Sequence, residues 1–211
     1  LLYLMAGIAA LPWILWRRFS NKRPVAAIRE RFTGQVHVAD CPKSHRRIWL
    51  HGVSVGEVQL IRALVNELKN QVDQNNQLID CVISSSTTTG LEVAAKHHEQ
   101  GHVFPCPLDF SWAIKNTFKR VQPDILILAE LEIWPNLLRI AKDYKIPVVV
   151  VNGRMSERSY LGYKRLGCIA TSMIHRISLV LARSQEDSER FTDLGAPLVE
   201  TIGSLKFDGI H

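Results

Sequence analysis

Paired cysteines are missing from this chain. Cys41, Cys81, Cys106 and Cys168 stand far apart and form no C-x-x-C pair. That spacing argues against a disulfide framework or a zinc ribbon and suits a reducing compartment, with all four read as small buried residues. Neither G-x-G-x-x-G nor G-K-[ST] occurs, so dehydrogenase and ATPase readings have no phosphate-binding loop to rest on. One H-E-x-x-H match runs from His98 to His102. A zincin needs both histidines on one face of a continuous helix, whereas Gly101 weakens the helix and His102–Pro105 reads as the next strand. Internal repeats and low-complexity segments are also lacking.

Charge is absent from Leu1 to Trp16, and Arg17 and Arg18 follow at once. Sixteen helical residues span about 24 Å, a little short of a hydrocarbon core of about 30 Å. The basic cluster follows the apolar run rather than preceding it, and no small-residue cleavage site comes before it, which disfavours a signal peptide. Trp13 and Trp16 occupy interfacial positions. Residues 1–18 therefore read as a membrane anchor, the competing reading being a buried core helix. The basic cluster orients the remainder toward the cytoplasmic face of the inner membrane and its anionic lipids.

What is present is ordinary for a globular chain with a basic bias. Its 211 residues are 46% hydrophobic and 22% charged, enough to bury a real core. The net charge of +6 favours anionic partners. Nine Lys or Arg fall between Arg17 and Arg47, against only Glu30 and Asp40; a solvated face is the plain reading of such a run, and the preceding apolar stretch adds a lipid surface to it.

From Arg47 onward strand and helix alternate. Apolar runs at 47–51, 78–84, 124–129, 147–151, 178–182 and 198–202 read as strands. Helical spacing appears over 57–74, 90–99, 137–144, 157–174 and 185–194. This pattern predicts an α/β fold, a Rossmann-like parallel sheet with helices on both faces. Ligands of such sheets sit outside the carboxyl ends of the strands, so the polar loops there become the candidate site.

His51-Gly-Val-Ser-Val-Gly-Glu57 joins a strand to a helix. Gly52 and Gly56 permit a tight turn and close approach of a ligand, with Ser54 between them, and Glu57 falls in the first helical turn. The plain alternative for Glu57 is a first-turn acid. Ser84 to Thr89 places six hydroxyls before a helix. One caps it, and the others, Thr87, Thr88 and Thr89 among them, suit sugar hydroxyls or phosphate. Glu130-Leu-Glu-Ile-Trp-Pro-Asn136 closes the most apolar strand with two carboxylates, which face the same side if the strand continues. Two acids at a buried strand end are costly unless paired or functional. Arg154 and Arg158, at helical spacing, suggest an anion clamp, surface salt bridging being the alternative.

Together these segments resemble the 3-deoxy-D-manno-octulosonic acid (Kdo) transferases of the two-domain GT-B type. The resemblance runs through the apolar start, Arg29-Glu-Arg-Phe32, His51–Glu57, Thr87–Gly90, Glu130–Asn136, Asn152–Ser159 and Gly203–Asp208. It departs where the family often has Ala for Gly52 and Gly153, Thr for Leu131 and Asn for Ser204. The resemblance implies a glycosyltransferase moving Kdo from CMP-Kdo to a lipid A precursor. In it Glu57 is the general base, Glu130 a transition-state partner and Lys206 a further stabiliser, while Ser54, Gly56, Thr87, Thr88, Thr89, Glu132, Asn136, Arg154 and Arg158 contact substrate. It implies no metal and no organic cofactor, and no nucleic-acid partner. Residues 19–203 would form the acceptor-side domain and 204–211 the start of a linker to a second, donor-binding domain. Two other readings stay open: a related membrane-associated GT-B enzyme, or a non-catalytic lipid-binding module.

Overall fold

A computed structural model describes residues 28–68, 71–72, 76–99 and 101–204. The expected anchor, Lys206 and the end of the expected linker lie outside the described residues. Among the described residues no helix is long and apolar enough to cross a membrane.

The elements in order are α1 (Ile28–Thr33), β1 (His45–Gly52), α2 (Val55–Leu68), β2 (Leu78–Ser85), α3 (Thr88–Ala95), β3 (Val103–Pro105), α4 (Ser111–Val121), β4 (Ile125–Ala129), α5 (Pro135–Asp143), β5 (Val148–Gly153), α6 (Glu157–Arg165), α7 (Cys168–Ile174), β6 (Leu179–Ala182), α8 (Gln185–Asp193) and β7 (Val199–Thr201). The seven strands are all parallel, in the order β3-β2-β1-β4-β5-β6-β7. The order reverses between β1 and β4, where a parallel sheet opens a crevice at its carboxyl edge.

Both faces of the sheet are covered, which is why its strands read as apolar runs rather than alternating ones. On one side Trp49, Leu126, Leu128 and Val150 pack with Ile114 and Phe118 of α4, Leu138 of α5 and Phe191 of α8. On the other, Leu50, Ile83, Ile127 and Val151 pack with Val58, Ile61 and Val65 of α2.

Several expectations need correction. Regular structure begins before Arg47, inside the expected 19–203 span: α1 starts at Ile28, Val36 and Val38 belong to the core, and Gly34, at φ +70, lies so close to α4 that a Cβ would sit 1.9 Å from the Ala113 carbonyl oxygen. Helix α4 was not anticipated. The stretch 157–174 is two helices, split at Gly167, φ +54. Cys81 and Cys106 are buried, but Cys41 is half-buried and Cys168 exposed. The H-E-x-x-H residues, as expected, share no helix: the helix α3 ends at Ala95, Gly101 turns the chain at φ +89, and His102 hydrogen-bonds Asp80 at 3.1 Å. Arg154 precedes α6, which starts at Glu157 behind the Ser156 cap, so the two arginines share no helix face.

Candidate active site

The reversal between β1 and β4 brings two loops together. After β1 the chain turns at Gly52, where an added Cβ would meet Ile61 Cδ1 at 2.9 Å and Glu57 Cβ at 3.0 Å. Ser54 then caps α2 and Glu57 reaches back. The Ser54 hydroxyl donates to Glu57 Oε1 at 2.6 Å, and the Ser54 and Val53 backbone N–H groups donate to Oε1 and Oε2 at 3.3 and 2.8 Å. The Glu57 N–H returns a 3.3 Å bond to Ser54 Oγ. This is a capping box, and it holds a 7%-exposed carboxylate in one rotamer. Both readings of Glu57 survive it. Oε1 is occupied twice, but Oε2 accepts a single donor, leaving a lone-pair direction for a further proton or hydroxyl.

After β4 the chain does not continue as a strand. Glu130 takes φ +60, and its N–H is held by the Val151 carbonyl at 2.9 Å. The strand that would set Glu130 and Glu132 on the same side therefore ends at Ala129, before either of them. The turn nevertheless gathers the acids. Burial pushes the Glu132 carboxyl up to about 7, and the Glu57 and Glu130 charges push the same way, against a 2.8 Å hydrogen bond donated by Trp134 Nε1. Glu132 thus lies near enough to feel both Glu57 and Glu130, an arrangement of the kind that separates acid from base roles.

The hydroxyl run after β2 is spent mostly on structure. Ser84 Oγ meets Trp49 Nε1 at 2.8 Å and His51 Nδ1 at 2.9 Å. Thr87 Oγ1 donates to the Val53 carbonyl at 2.6 Å and accepts the Gly90 N–H at 3.1 Å, tying the β2 loop to the β1 loop. Gly90 is needed there, since a Cβ would meet Ser85 Oγ at 2.2 Å. Thr88 is half-buried and Thr89 exposed in the first turn of α3; Ser54 and Gly56 are exposed beside Glu57. Asn136 turns out to be a scaffold residue. Its amide donates to the Asp109 carbonyl at 2.6 Å, while the Asp109 carboxylate accepts the Asn136 and Leu137 N–H groups at 3.0 and 2.9 Å. Arg154 and Arg158 are exposed. Met155 between them is buried and anchored by Asp187 Oδ1 at 2.7 Å, which fixes where both arginines leave the surface.

Four residues at this edge went unassigned in the sequence. Arg31 donates from Nε to the Cys106 carbonyl at 3.0 Å, and burial lowers its pKa. Burial lowers the His51 imidazole to about 4 against a hydrogen bond with Ser84, and nearby Arg31 adds a smaller push downward. His51 Nε2 and Asn152 Oδ1 are buried with no hydrogen-bond partner, and Asn152 sits at φ +52. Asp109 lies 8% exposed with its pKa raised, first by burial and against the N–H groups of α5. An acid in the Pro107-Leu-Asp-Phe110 stretch was the only available signal for it, and its target helix lies 27 residues downstream. No group of three or more potential metal ligands occurs among the described residues.

The chain is similar to known proteins along most of its length. The family model described as 3-deoxy-D-manno-octulosonic-acid transferase (kdotransferase) matches residues 26–209. A bifunctional glycosyltransferase/methyltransferase of Fusobacterium nucleatum is 36% identical over 92% of this chain and 30% of its own length. The 3-deoxy-D-manno-octulosonic acid transferase of Haemophilus influenzae is 32% identical over 81% of this chain and 39% of its own, and that of Bordetella pertussis 29% identical over 97% and 48%. The chain thus spans between about a third and a half of the length of these relatives. Among solved structures, the UDP complex of S. aureus MnaA aligns with TM-score 0.55 at 11% identity, over 78% of this chain and 46% of the other. UDP-GlcNAc 2-epimerase from Neisseria meningitidis does so with the same TM-score and identity, over 77% and 47%. At that identity the likeness is one of fold.

Proposed function

Because the chain belongs to the 3-deoxy-D-manno-octulosonic-acid transferase family, we propose that it is the acceptor-side half of a glycosyltransferase. In this reading the whole protein moves Kdo from CMP-Kdo to a lipid A precursor at the cytoplasmic face of the inner membrane. Residues 1–18 anchor it, 19–203 form the acceptor domain, and 204–211 lead toward a donor-binding domain. The observation that carries the reading is the three-carboxylate edge at the sheet's reversal, in a chain matched almost throughout by that family.

An acceptor hydroxyl is a weak nucleophile at neutral pH and needs a positioned base as it attacks the anomeric carbon of the donor. Glu57 Oε2 takes that proton, the new C–O bond forms, the bond to the phosphate oxygen breaks, and CMP departs with the electron pair. Glu130 orients the transition state from across the crevice. Lys206 stabilises the charge on the departing group. Glu132, with its carboxyl near 7, exchanges a proton around neutral pH beside Glu57, and in its protonated form it donates to acceptor oxygen instead of repelling its phosphates. Ser54, Gly56, Thr87, Thr88 and Thr89 line the crevice and Asn136 shapes it, while Arg154 and Arg158 meet acceptor phosphates at its rim. No step needs a metal or an organic cofactor.

The test is an assay of the full-length protein with CMP-Kdo and tetraacylated lipid A precursor. Release of CMP with a Kdo-bearing lipid product is expected. Transfer of a different sugar would favour another GT-B reaction, and acceptor binding without transfer would favour a lipid-binding module.

A further inference from the structure

Helix α4 buries one face completely and leaves the other without an acid. Ala113, Ile114, Thr117, Phe118 and Val121 enter the core. Trp112, Lys115, Asn116, Lys119 and Arg120 are exposed, at the i, i+3, i+4, i+7, i+8 spacing of a single helix face. At its start this face runs into an aromatic cluster. Phe110 and Trp112 stack at 4.7 Å and 5°, and Phe32 of α1 stands edge-on to both, at 5.4 and 5.8 Å. Phe32 is 48% and Trp112 42% exposed, with Leu108 beside them at 40%. The cluster is pinned in place: Trp112 Nε1 donates to the Phe32 carbonyl at 3.0 Å, and the Leu108 N–H to the Arg31 carbonyl at 2.8 Å.

We propose that α1 and the outward face of α4 form a contact surface for an anionic lipid bilayer, separate from the apolar stretch at the start of the chain. Rigid aromatics beside cations fit the amphipathic boundary of a bilayer and its anionic headgroups, and the one acid of α1, Glu30, faces His37 at 3.9 Å. Charge complementarity is one argument for that occupant, and chain continuity is the second. Residues 17–27, with Arg17, Arg18, Lys22 and Arg23, lead without a break into α1 at Ile28, where Arg29 is also exposed. The open groove of about 410 Å³ between residues 34–37 and α4, edged by His37, Lys119 and Arg120, would receive headgroups. Arg31 bridges the two regions, with Phe32 following it in this surface and its own side chain reaching the carboxyl edge. A lipid-borne acceptor held in the bilayer would thus meet the crevice at its rim. Vesicle binding is read without donor or acceptor sugar, so the proposal does not depend on the reaction assigned above.

The test uses the whole 211-residue chain with phosphatidylcholine vesicles, with and without phosphatidylglycerol. The variant is Lys115→Gln/Lys119→Gln/Arg120→Gln, whose three sites are exposed, and circular dichroism verifies its fold. It should bind the phosphatidylglycerol vesicles at least about tenfold more weakly at low salt, with binding to pure phosphatidylcholine unchanged. Hydrogen exchange over residues 28–33 and 108–121 should slow on vesicles in the parent chain and much less in the variant. An unchanged dependence on phosphatidylglycerol, or protection confined to residues 1–27, would overturn the proposal. So would a concentration-dependent dimer that the same substitutions abolish, since the surface would then belong to a second copy.

Discussion

The two ends of the same sheet handle buried charge in opposite ways. At the amino edge, Arg47 is 2% exposed and its guanidinium is spoken for. Nε donates to Asp80 at 2.6 Å, and the two terminal nitrogens to the carbonyls of Val121 and Ala39 at 3.2 and 2.7 Å. Asp124 takes the Arg47 N–H and the Arg46 guanidinium, each at 2.8 Å. Opposite charges meet one to one. At the carboxyl edge burial pushes the Glu132 carboxyl to about 7, and the like charges of Glu57 and Glu130 push the same way. Paired charge is what a scaffold needs. Like charge at a partly buried site persists only where something else is gained, so the second edge is where chemistry is to be sought.

The comparison breaks most visibly at Glu57. In the full-length protein Glu57→Gln should lower turnover by about 10²–10⁴-fold, while its single amide oxygen, able to replace only one of the two acceptors used by Val53 and Ser54, should cost about 1–3 kcal/mol of stability. Transfer within a few-fold of the parent would return Glu57 to a purely capping role. At the amino edge the same kind of change should act on folding. Asp80→Asn leaves Arg47 buried without its counter-charge and should cost about 3–5 kcal/mol in denaturant unfolding, and a loss below about 1 kcal/mol would show that the edge is wetter than it looks.

Titration sharpens the contrast further. Glu132 carries a raised pKa, so its contribution is fully present below 4.5 and is lost as pH rises toward about 7. His51 carries a lowered one, so its contribution is present above 6.5 and is lost as pH falls toward about 4. The two slopes oppose each other between pH 4.5 and 6.5. Glu132→Gln should therefore unmask the His51 slope, with stability falling more steeply on acidification than in the parent chain. Parallel pH–stability curves for the two would mean that Glu132 titrates normally. The smallest effect is expected at Asp109, the borrowed cap of α5. Asp109→Ala should cost about 1–2 kcal/mol in thermal unfolding, since it removes the acceptor of two helix N–H groups, and no change would assign their satisfaction to water.

Much of this was legible beforehand, for identifiable reasons. The apolar runs became β1, β2, β4, β5, β6 and β7 within a residue or two at each end, because a parallel sheet covered on both sides imposes continuous hydrophobicity. The unseen helix α4 has its core positions at helical spacing but no ordinary punctuation. Phe110 makes no side-chain cap, and the helix stops at Gln122 in the left-handed region rather than at a glycine. Helix α5 was expected from its apolar face, but its cap comes from Asp109, out of reach of any local pattern.

Local chemistry along the chain settled which residues form the strand-to-helix turns, that Ser54 and Glu57 can cap one another, and that the acids, hydroxyls and arginines fall at the carboxyl ends of strands. Those are properties of neighbours within a few positions, where spacing and residue type decide the outcome. The tertiary structure alone decided that Glu132 lies near Glu57, 75 residues away in the chain, that Asn136 serves Asp109 rather than the open crevice, that Arg154 lies outside a helix, and that α1 joins α4 in one aromatic and basic surface. Each depends on strand order and on which faces pack, and burial makes a carboxyl or imidazole depart from its ordinary pKa only once distant segments have closed over it.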